Sequence, residues 1–192
     1  MELAPEPPHI EGPTWRKTAA GKWWLPENTL GWDIINWLAE HVGSPDDATA
    51  PFLPTLEQAR FLLWLYAVDH HGKWLYRNAV LRRAKGTGKS PLSAAIGLAE
   101  LCGPVKFDCW AADGPVGKPH PAAWVQLVGV SQEQTKNVMT ALNIMATKNF
   151  RKKYRLEVNK TCVYSGIGGR LETVTSSPWT MEGNRPTMVL ED

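Results

Sequence analysis

The sequence predicts an α/β fold in which helices flank a largely parallel sheet. From residue 74 onward, apolar segments of strand length alternate with amphipathic segments of helix length, and this alternation is typical of parallel sheets. A glycine-rich loop follows one predicted strand and opens a predicted helix, which is an arrangement that binds phosphate in open sheets. A last apolar segment, MVLED, adds a strand that ends in two carboxylates.

The composition excludes several classes of protein. The 192 residues are 43% hydrophobic and 21% charged, which indicates a globular chain and not a disordered one. The net charge is +2, so affinity for nucleic acid would need a local basic face. Three cysteines without CxxC spacing argue against a disulfide framework and indicate a reducing compartment. No apolar run reaches the roughly 18 residues of a membrane span, and no secretion signal is recognisable.

Three regions are predicted along the chain. Residues 1–28 are rich in proline without an apolar period and should form an extended arm. Residues 29–73 form a helical subregion. Its first helix spans 29–42 with Gly43 as its cap, and its second runs from a capping box at Thr55 and Gln58 to Gly72. Residues 74–192 form the sheet core, incomplete at its C-terminus, with a turn-rich surface excursion at 104–122. Its strands are predicted at 78–83, 123–130, 161–164, 170–177 and 186–192, and its helices at 91–103 and from Ser131.

The clearest functional signal is RRAKGTGKS, residues 82–90. It departs from the phosphate-loop pattern GxxxxGK[ST] at Arg83, where the pattern has glycine. Glycines let backbone N–H groups close around phosphate, and the following helix N-terminus adds unpaired donors. Lys89 should reach the β- and γ-phosphates, and Ser90 should bind Mg²⁺; the alternative is a chance glycine turn before a helix. The predicted nucleotide-binding residues here are Lys85, Gly86, Thr87, Gly88, Lys89, Ser90 and Pro91.

A phosphate loop that hydrolyses ATP also needs a carboxylate that holds Mg²⁺ on a neighbouring strand. Asp192, at the carboxyl end of the last predicted strand, is the expected ligand. Glu191 and an ordinary acidic strand end are the alternatives. The two features together predict an ASCE-like P-loop NTPase core that stops after its Walker B strand and carries an N-terminal helical segment.

Three segments together resemble the ATPase half of a phage terminase large subunit, over roughly residues 29–192. They are KGTGKSPL, the stretch from ELCGPV to PAAWVQLVGVSQEQTKN, and EGNRPTMVLED. The resemblance implies an ATP-hydrolysing motor that uses ATP and Mg²⁺ to package double-stranded DNA into procapsids. It further implies a small subunit and a portal as partners, a homo-oligomeric ring during packaging, and a location in the host cell cytoplasm at the procapsid. The family's coupling motif and nuclease domain find no match in these residues.

The resemblance also implies roles for single residues. Gln58 is similar to the family's adenine-contacting glutamine, and the alternative is a plain capping partner of Thr55. Lys85 stands where terminases place a basic residue that senses or completes the phosphate site. Arg82 and Arg83 are neighbouring candidates, and a solvated basic strand end is the alternative. The implied catalytic residues are Lys89, Asp192, Lys85 and Arg83.

Residues 148–160 form the densest basic segment, with six basic residues against one acid. Such a segment can contact a DNA backbone, but a solvated helix end accounts for it equally well. The predicted DNA contacts are Arg151, Lys152 and Lys153. Two other functions stay open from the sequence: a nucleotide-dependent assembly module that switches without turnover, and a P-loop kinase of a small molecule.

Overall fold

The computed structural model describes residues 12–129, 132–175 and 185–191, apart from the side chains of residues 132–134 and 175. A short 3₁₀ helix, Pro13–Trp15, comes first. The helices that follow are α1 (Gly31–His41), α2 (Leu56–Leu65), α3 (Lys89–Cys102), α4 (Gln132–Met145) and α5 (Lys148–Tyr154). The strands are β1 (Lys106–Ala111), β2 (Gly114–Lys118), β3 (Trp124–Gly129), β4 (Glu157–Val158), β5 (Cys162–Tyr164), β6 (Arg170–Thr175) and β7 (Met188–Glu191).

The main sheet has the strand order β4-β5-β6-β3-β7 and is mixed. Strand β3 runs parallel to both β6 and β7, whereas β4, β5 and β6 are paired antiparallel. The α/β class is therefore confirmed, and the parallel arrangement holds for its β6-β3-β7 part. The antiparallel part arises because the short turn at residues 165–169 reverses the chain between β5 and β6, and a connection of that length permits only a hairpin.

Helix α3 lies close against the sheet because of its composition. Its inner residues Leu92, Ala95, Ile96, Ala99 and Cys102 are buried, as the sequence predicts. At Gly97 an added Cβ would lie 3.0 Å from Cδ1 of Leu171 in β6, so glycine permits this close approach. Ser93, Val128 and Leu190 line one small cavity, which places the first turns of α3 near the carboxyl ends of β3 and β7.

The first predicted helix is confirmed to within two residues, but its cap is different. Helix α1 buries Ile34 and Leu38, and its C-cap residue is Val42, which has an extended backbone. Gly43 does not adopt the left-handed conformation of a glycine cap. Glycine is needed there because a Cβ would lie 2.8 Å from Cγ2 of Thr147 and 3.0 Å from the carbonyl oxygen of Ala48.

The second helix begins where the sequence predicts, but it ends earlier than predicted. Thr55 caps α2, and the capping box with Gln58 is complete. The helix ends at Leu65, so its predicted extension to Gly72 is wrong. The backbone beyond it pairs with other segments: Leu30 N donates to Tyr66 O at 3.0 Å, and Leu75 N donates to Ala67 O at 2.9 Å. These bonds replace the helical ones, since each backbone group must find one partner.

Two further predictions require correction. Residues 78–83, predicted as a strand, have no strand partner among the described residues, and Val80 is 89% exposed. The excursion at 104–122 is not only turns, because β1 and β2 form an antiparallel hairpin within it. In the part of the chain that the structure describes, no helix has the length and apolarity to cross a membrane.

Candidate phosphate-binding site

The loop of residues 83–88, here called the glycine loop, owes its shape to two glycines. Gly86 has φ 83° and Gly88 has φ 77°, both in the left-handed region that side chains disfavour. Gly88 is the N-cap of α3, so Lys89 is the first residue of that helix. The loop therefore leads its backbone directly into a helix N-terminus, where unpaired N–H groups and the helix dipole favour an anion.

Lys89 directs its ammonium group back into the glycine loop. Its Nζ donates to the carbonyl oxygens of Arg83, at 3.1 Å, and Ala84, at 3.0 Å. The Thr87 hydroxyl donates to the same Ala84 oxygen at 2.8 Å. A positive charge is thus held within the loop by neutral acceptors. A phosphate oxygen is a stronger acceptor for an ammonium group, because the bond is then charge-assisted on both sides.

The N-terminus of α2 faces the glycine loop through Gln58. The Gln58 side chain accepts from Thr55 N at 3.0 Å and donates from Nε2 to the Gly88 carbonyl at 3.4 Å. It is therefore a capping partner and a contact of the loop at once. Between α2 and the loop lies a cavity of about 90 Å³. It is lined by Thr55, Glu57, Gln58, Leu81, Arg83, Thr87, Gly88 and Lys89.

Arg83 connects this cavity to two residues that the sequence analysis missed. Its guanidinium group forms an ion pair with the Glu57 carboxylate. It also lies over the ring of Trp15, with Cζ 4.8 Å from the ring centroid. Glu57 could have been found from its place beside Gln58 in the capping box. Trp15 carries no sequence signal beyond an unusual number of tryptophans.

The other predicted nucleotide residues occupy less central positions. Lys85 is exposed and does not line the cavity, and Ser90 and Pro91 are half-buried in the first turn of α3. Asp192, the predicted Mg²⁺ ligand, lies outside the described residues, and its neighbour Glu191 is exposed at the end of β7. Among the described residues, no group of three or more His, Cys, Asp or Glu side chains is placed to hold a metal.

A buried acid lies within α3. Glu100 is 6% exposed and accepts a hydrogen bond of 2.8 Å from the Tyr66 hydroxyl. Burial raises the pKa of Glu100 from its ordinary 4.5 to about 7, and the bond from Tyr66 opposes that rise. Burial, followed by the charge of Glu100, raises the pKa of Tyr66 well above 10. The pair joins α3 to the end of α2.

The three predicted DNA contacts have different surroundings. Arg151 donates to the carbonyl oxygens of Ala146, at 2.8 Å, and Asn143, at 2.7 Å, so it caps the C-terminus of α4. The ammonium group of Lys153 lies 2.9 Å from His41 Nε2 and over the ring of Tyr154. Lys152 is exposed. Lys152 is thus the one of the three for which the described structure provides no competing partner.

Comparison with known proteins gives relatives in mycobacteriophages and similar solved structures, and no family model matches the chain. The chain is 49% identical over 212 aligned positions to the Gene 13 protein of Mycobacterium phage L5. It is 47% identical over 214 positions to the Gene 13 protein of Mycobacterium phage D29. Both alignments cover all of this chain, which spans only 36% of the length of each relative.

The similar solved structures include the crystal structure of the HK97 bacteriophage large terminase. It matches with a TM-score of 0.62 at 19% identity, over 85% of this chain and 31% of that chain. Because the identity is low, the likeness concerns the fold. This chain therefore has an α/β fold similar to part of a phage large terminase.

Proposed function

We propose that this chain is the ATP-hydrolysing motor domain of a phage terminase large subunit, which powers packaging of double-stranded viral DNA into procapsids. The observation that carries the proposal is the glycine loop at the start of α3, with the Lys89 ammonium group inside it and Arg83 at the same cavity. The fold likeness to the HK97 large terminase and the two mycobacteriophage relatives support it.

The residues at the cavity fit a nucleoside triphosphate, which brings about four negative charges. Two cationic side chains, Lys89 and Arg83, and the N-terminus of α3 offer positive charge and donors on one side. Gln58 lies on the other side, where its amide can pair with a donor and an acceptor of adenine once it leaves Gly88. In this proposal Lys89 acts on the phosphate charge that develops during hydrolysis, and Lys85 or Arg83 senses it.

Mg²⁺ accompanies the nucleotide in this proposal. The Ser90 hydroxyl, in the first turn of α3, and the Asp192 carboxylate are the oxygen ligands that this ion prefers. When bound, the ion neutralises phosphate charge and orients the phosphate oxygens. Ser90 follows Lys89 directly, so the two side chains leave the helix N-terminus at adjacent positions.

The partners follow from the proposed function. They are double-stranded DNA, a terminase small subunit and a portal, with the chain forming a homo-oligomeric ring in the host cell cytoplasm during packaging. For DNA, the best candidates are Lys152 and three other exposed cations of residues 148–160, because their charges are open to a phosphate backbone. The three other cations are Lys148, Arg155 and Lys160.

The test is phosphate release from MgATP by the full chain, with and without double-stranded DNA. We expect DNA to stimulate release and Lys89→Ala to abolish it. Lys106→Ala, which removes an exposed lysine from β1, is the matched control and should release phosphate normally. Binding of ATP without release would instead support a switching module. A kinase would be indicated if the chain released no phosphate, with or without DNA, and consumed ATP only after a small-molecule acceptor was added.

A further inference from the structure

The N-terminal arm reaches the glycine loop through stacked side chains. Trp15 belongs to the 3₁₀ helix of the arm and is 36% exposed. The guanidinium group of Arg83 lies over its ring at 4.8 Å. The same guanidinium group pairs with the Glu57 carboxylate of α2. Arg83 is thus held by one residue of the arm and one of α2 at the edge of the cavity that Lys89 lines.

A second arginine fixes the arm on α2. Arg60 lies 3.9 Å from the ring centroid of Trp23 and 5.9 Å from that of Trp15. Its Nε donates to the Thr14 carbonyl at 3.2 Å. Trp15 is therefore flanked by two guanidinium groups, and these repel one another. The Glu57 carboxylate pairs with Arg83 and thereby offsets part of this repulsion.

A guanidinium group can serve an aromatic ring and a carboxylate with different parts of its surface. An aromatic ring contacts the planar face of a guanidinium group, whereas a carboxylate takes N–H groups along its edge. Phosphate oxygens bind that same edge, often through two parallel bonds. A phosphate therefore competes with Glu57 for Arg83 but does not compete with Trp15.

We propose that Trp15 and Glu57 are positioning residues for Arg83 and that they set the affinity of the cavity for a nucleoside triphosphate. This inference rests on the proposed function. Trp15 keeps the guanidinium group at the cavity while its edge binds phosphate. Glu57 holds the same edge and adds a negative charge that a bound phosphate must displace. The arm thereby becomes part of the nucleotide site.

The two positions should act in opposite directions. Trp15→Leu keeps an apolar side chain but removes the ring face, and we expect ATP affinity to fall by about three- to tenfold. Glu57→Gln removes the competing charge, and we expect affinity to rise by about three- to tenfold. Trp15 acts through Arg83, so Trp15→Leu should not alter affinity when Arg83→Ala is already present. The Glu57 carboxylate itself lines the cavity, so the rise on Glu57→Gln should be larger in that background, where no guanidinium group offsets its charge.

The experiment is calorimetric titration of the full chain with MgATP, for the unmodified protein, the two single variants, Arg83→Ala and the two double variants. The matched controls change residues in the β1–β2 hairpin. Asp108→Asn removes an exposed carboxylate that pairs with Lys118. Trp110→Leu removes a tryptophan that is 43% exposed. Circular dichroism and thermal unfolding establish that each variant folds. If Trp15→Leu does not fold, Trp15→Phe replaces it, with a smaller fall in affinity expected.

Opposite shifts in the single variants support the inference if the Trp15→Leu shift disappears and the Glu57→Gln shift grows in the Arg83→Ala background. It is overturned if Glu57→Gln weakens binding, if the Trp15→Leu shift persists without Arg83, if the Glu57→Gln shift is the same with and without Arg83, or if the shifts match those of the hairpin controls. If the unmodified protein binds no MgATP, the proposed function fails and this inference fails with it. If the unmodified protein binds and the variants bind equally well, only this inference fails.

Discussion

Replacing Glu100 with glutamine should make this protein more stable at pH values above neutrality, because the buried carboxyl should cost stability when it ionises. Glu100 is 6% exposed, and the Tyr66 hydroxyl donates to it at 2.8 Å. Its pKa is raised from 4.5 to about 7 in the folded state. At pH values between these two, the unfolded chain has lost the proton and the folded protein has kept it. The folded state then binds more protons, so its stability falls as pH rises through this window.

The size of the effect follows from the two pKa values. The change from 4.5 to about 7, at 1.36 kcal/mol per pKa unit, corresponds to roughly 3 kcal/mol of stability lost by pH 8. Glutamine carries no charge and still offers an oxygen to Tyr66, so Glu100→Gln should be more stable by about that amount at pH 8. Below pH 4.5 the two proteins should be nearly equal. At about 2–4 °C per kcal/mol for a chain of this size, Tm at pH 8 should rise by about 6–12 °C.

The assay is urea unfolding followed by circular dichroism, at several pH values from 4.5 to 8.5. Glu157→Gln, which changes an exposed carboxyl in β4, is the control and should leave the pH dependence unaltered. Tyr66→Phe removes the hydrogen bond that favours the ionised carboxylate, so it should raise the pKa of Glu100 further and extend the loss of stability to higher pH. If the curves of unmodified protein and Glu100→Gln stay parallel over this range, the reasoning about the buried acid is refuted.

Four further predictions concern the loop and the basic segment. If the proposed function holds, Lys89→Ala should lower the rate of ATP hydrolysis by about 100-fold or more with an unchanged circular dichroism spectrum, because the proposal places its ammonium group at the developing phosphate charge. Gly88→Ala should cost about 1–2 kcal/mol in unfolding experiments and weaken ATP binding, because φ at this position is 77°. Lys152→Ala should reduce the salt dependence of DNA binding by about 0.9 in log–log slope. Arg151→Ala should leave that slope unchanged and instead cost about 1–2 kcal/mol of stability, through its lost bonds to the α4 carbonyls; a changed slope would contradict its capping role.

The parts of the fold that the sequence predicts well are those whose local signals agree with the final packing. Helix α3 is an example, since a glycine loop precedes it and its apolar residues recur at helical spacing. The capping box of α2 is another, because Thr55 and Gln58 lie three residues apart and need no distant partner. In such segments the local sequence already favours the observed helix, and tertiary packing stabilises it further by burying its apolar residues.

The failures occur where distant backbone groups decide the structure. The segment after Leu65 continues the apolar helical pattern, yet Tyr66 and Ala67 bond to residues near 30 and 75. A periodic pattern cannot reveal such partners, because they lie more than thirty residues upstream or belong to a turn downstream. The predicted strand at 78–83 fails for the same reason, since a strand exists only where another strand pairs with it.

The candidate site shows the same division between local and distant information. The glycine loop and Lys89 are visible in the sequence because anion binding by a helix N-terminus requires particular residues at fixed spacing. The surroundings of Arg83 are not visible, because Glu57 and Trp15 come from α2 and the arm and share no spacing with the loop. Their effect on Arg83 depends on tertiary contacts, since its guanidinium group pairs with the Glu57 carboxylate and lies over the Trp15 ring. A motif specifies which atoms can contact phosphate, and the packing of α2 and the arm determines how readily Arg83 is released to do so.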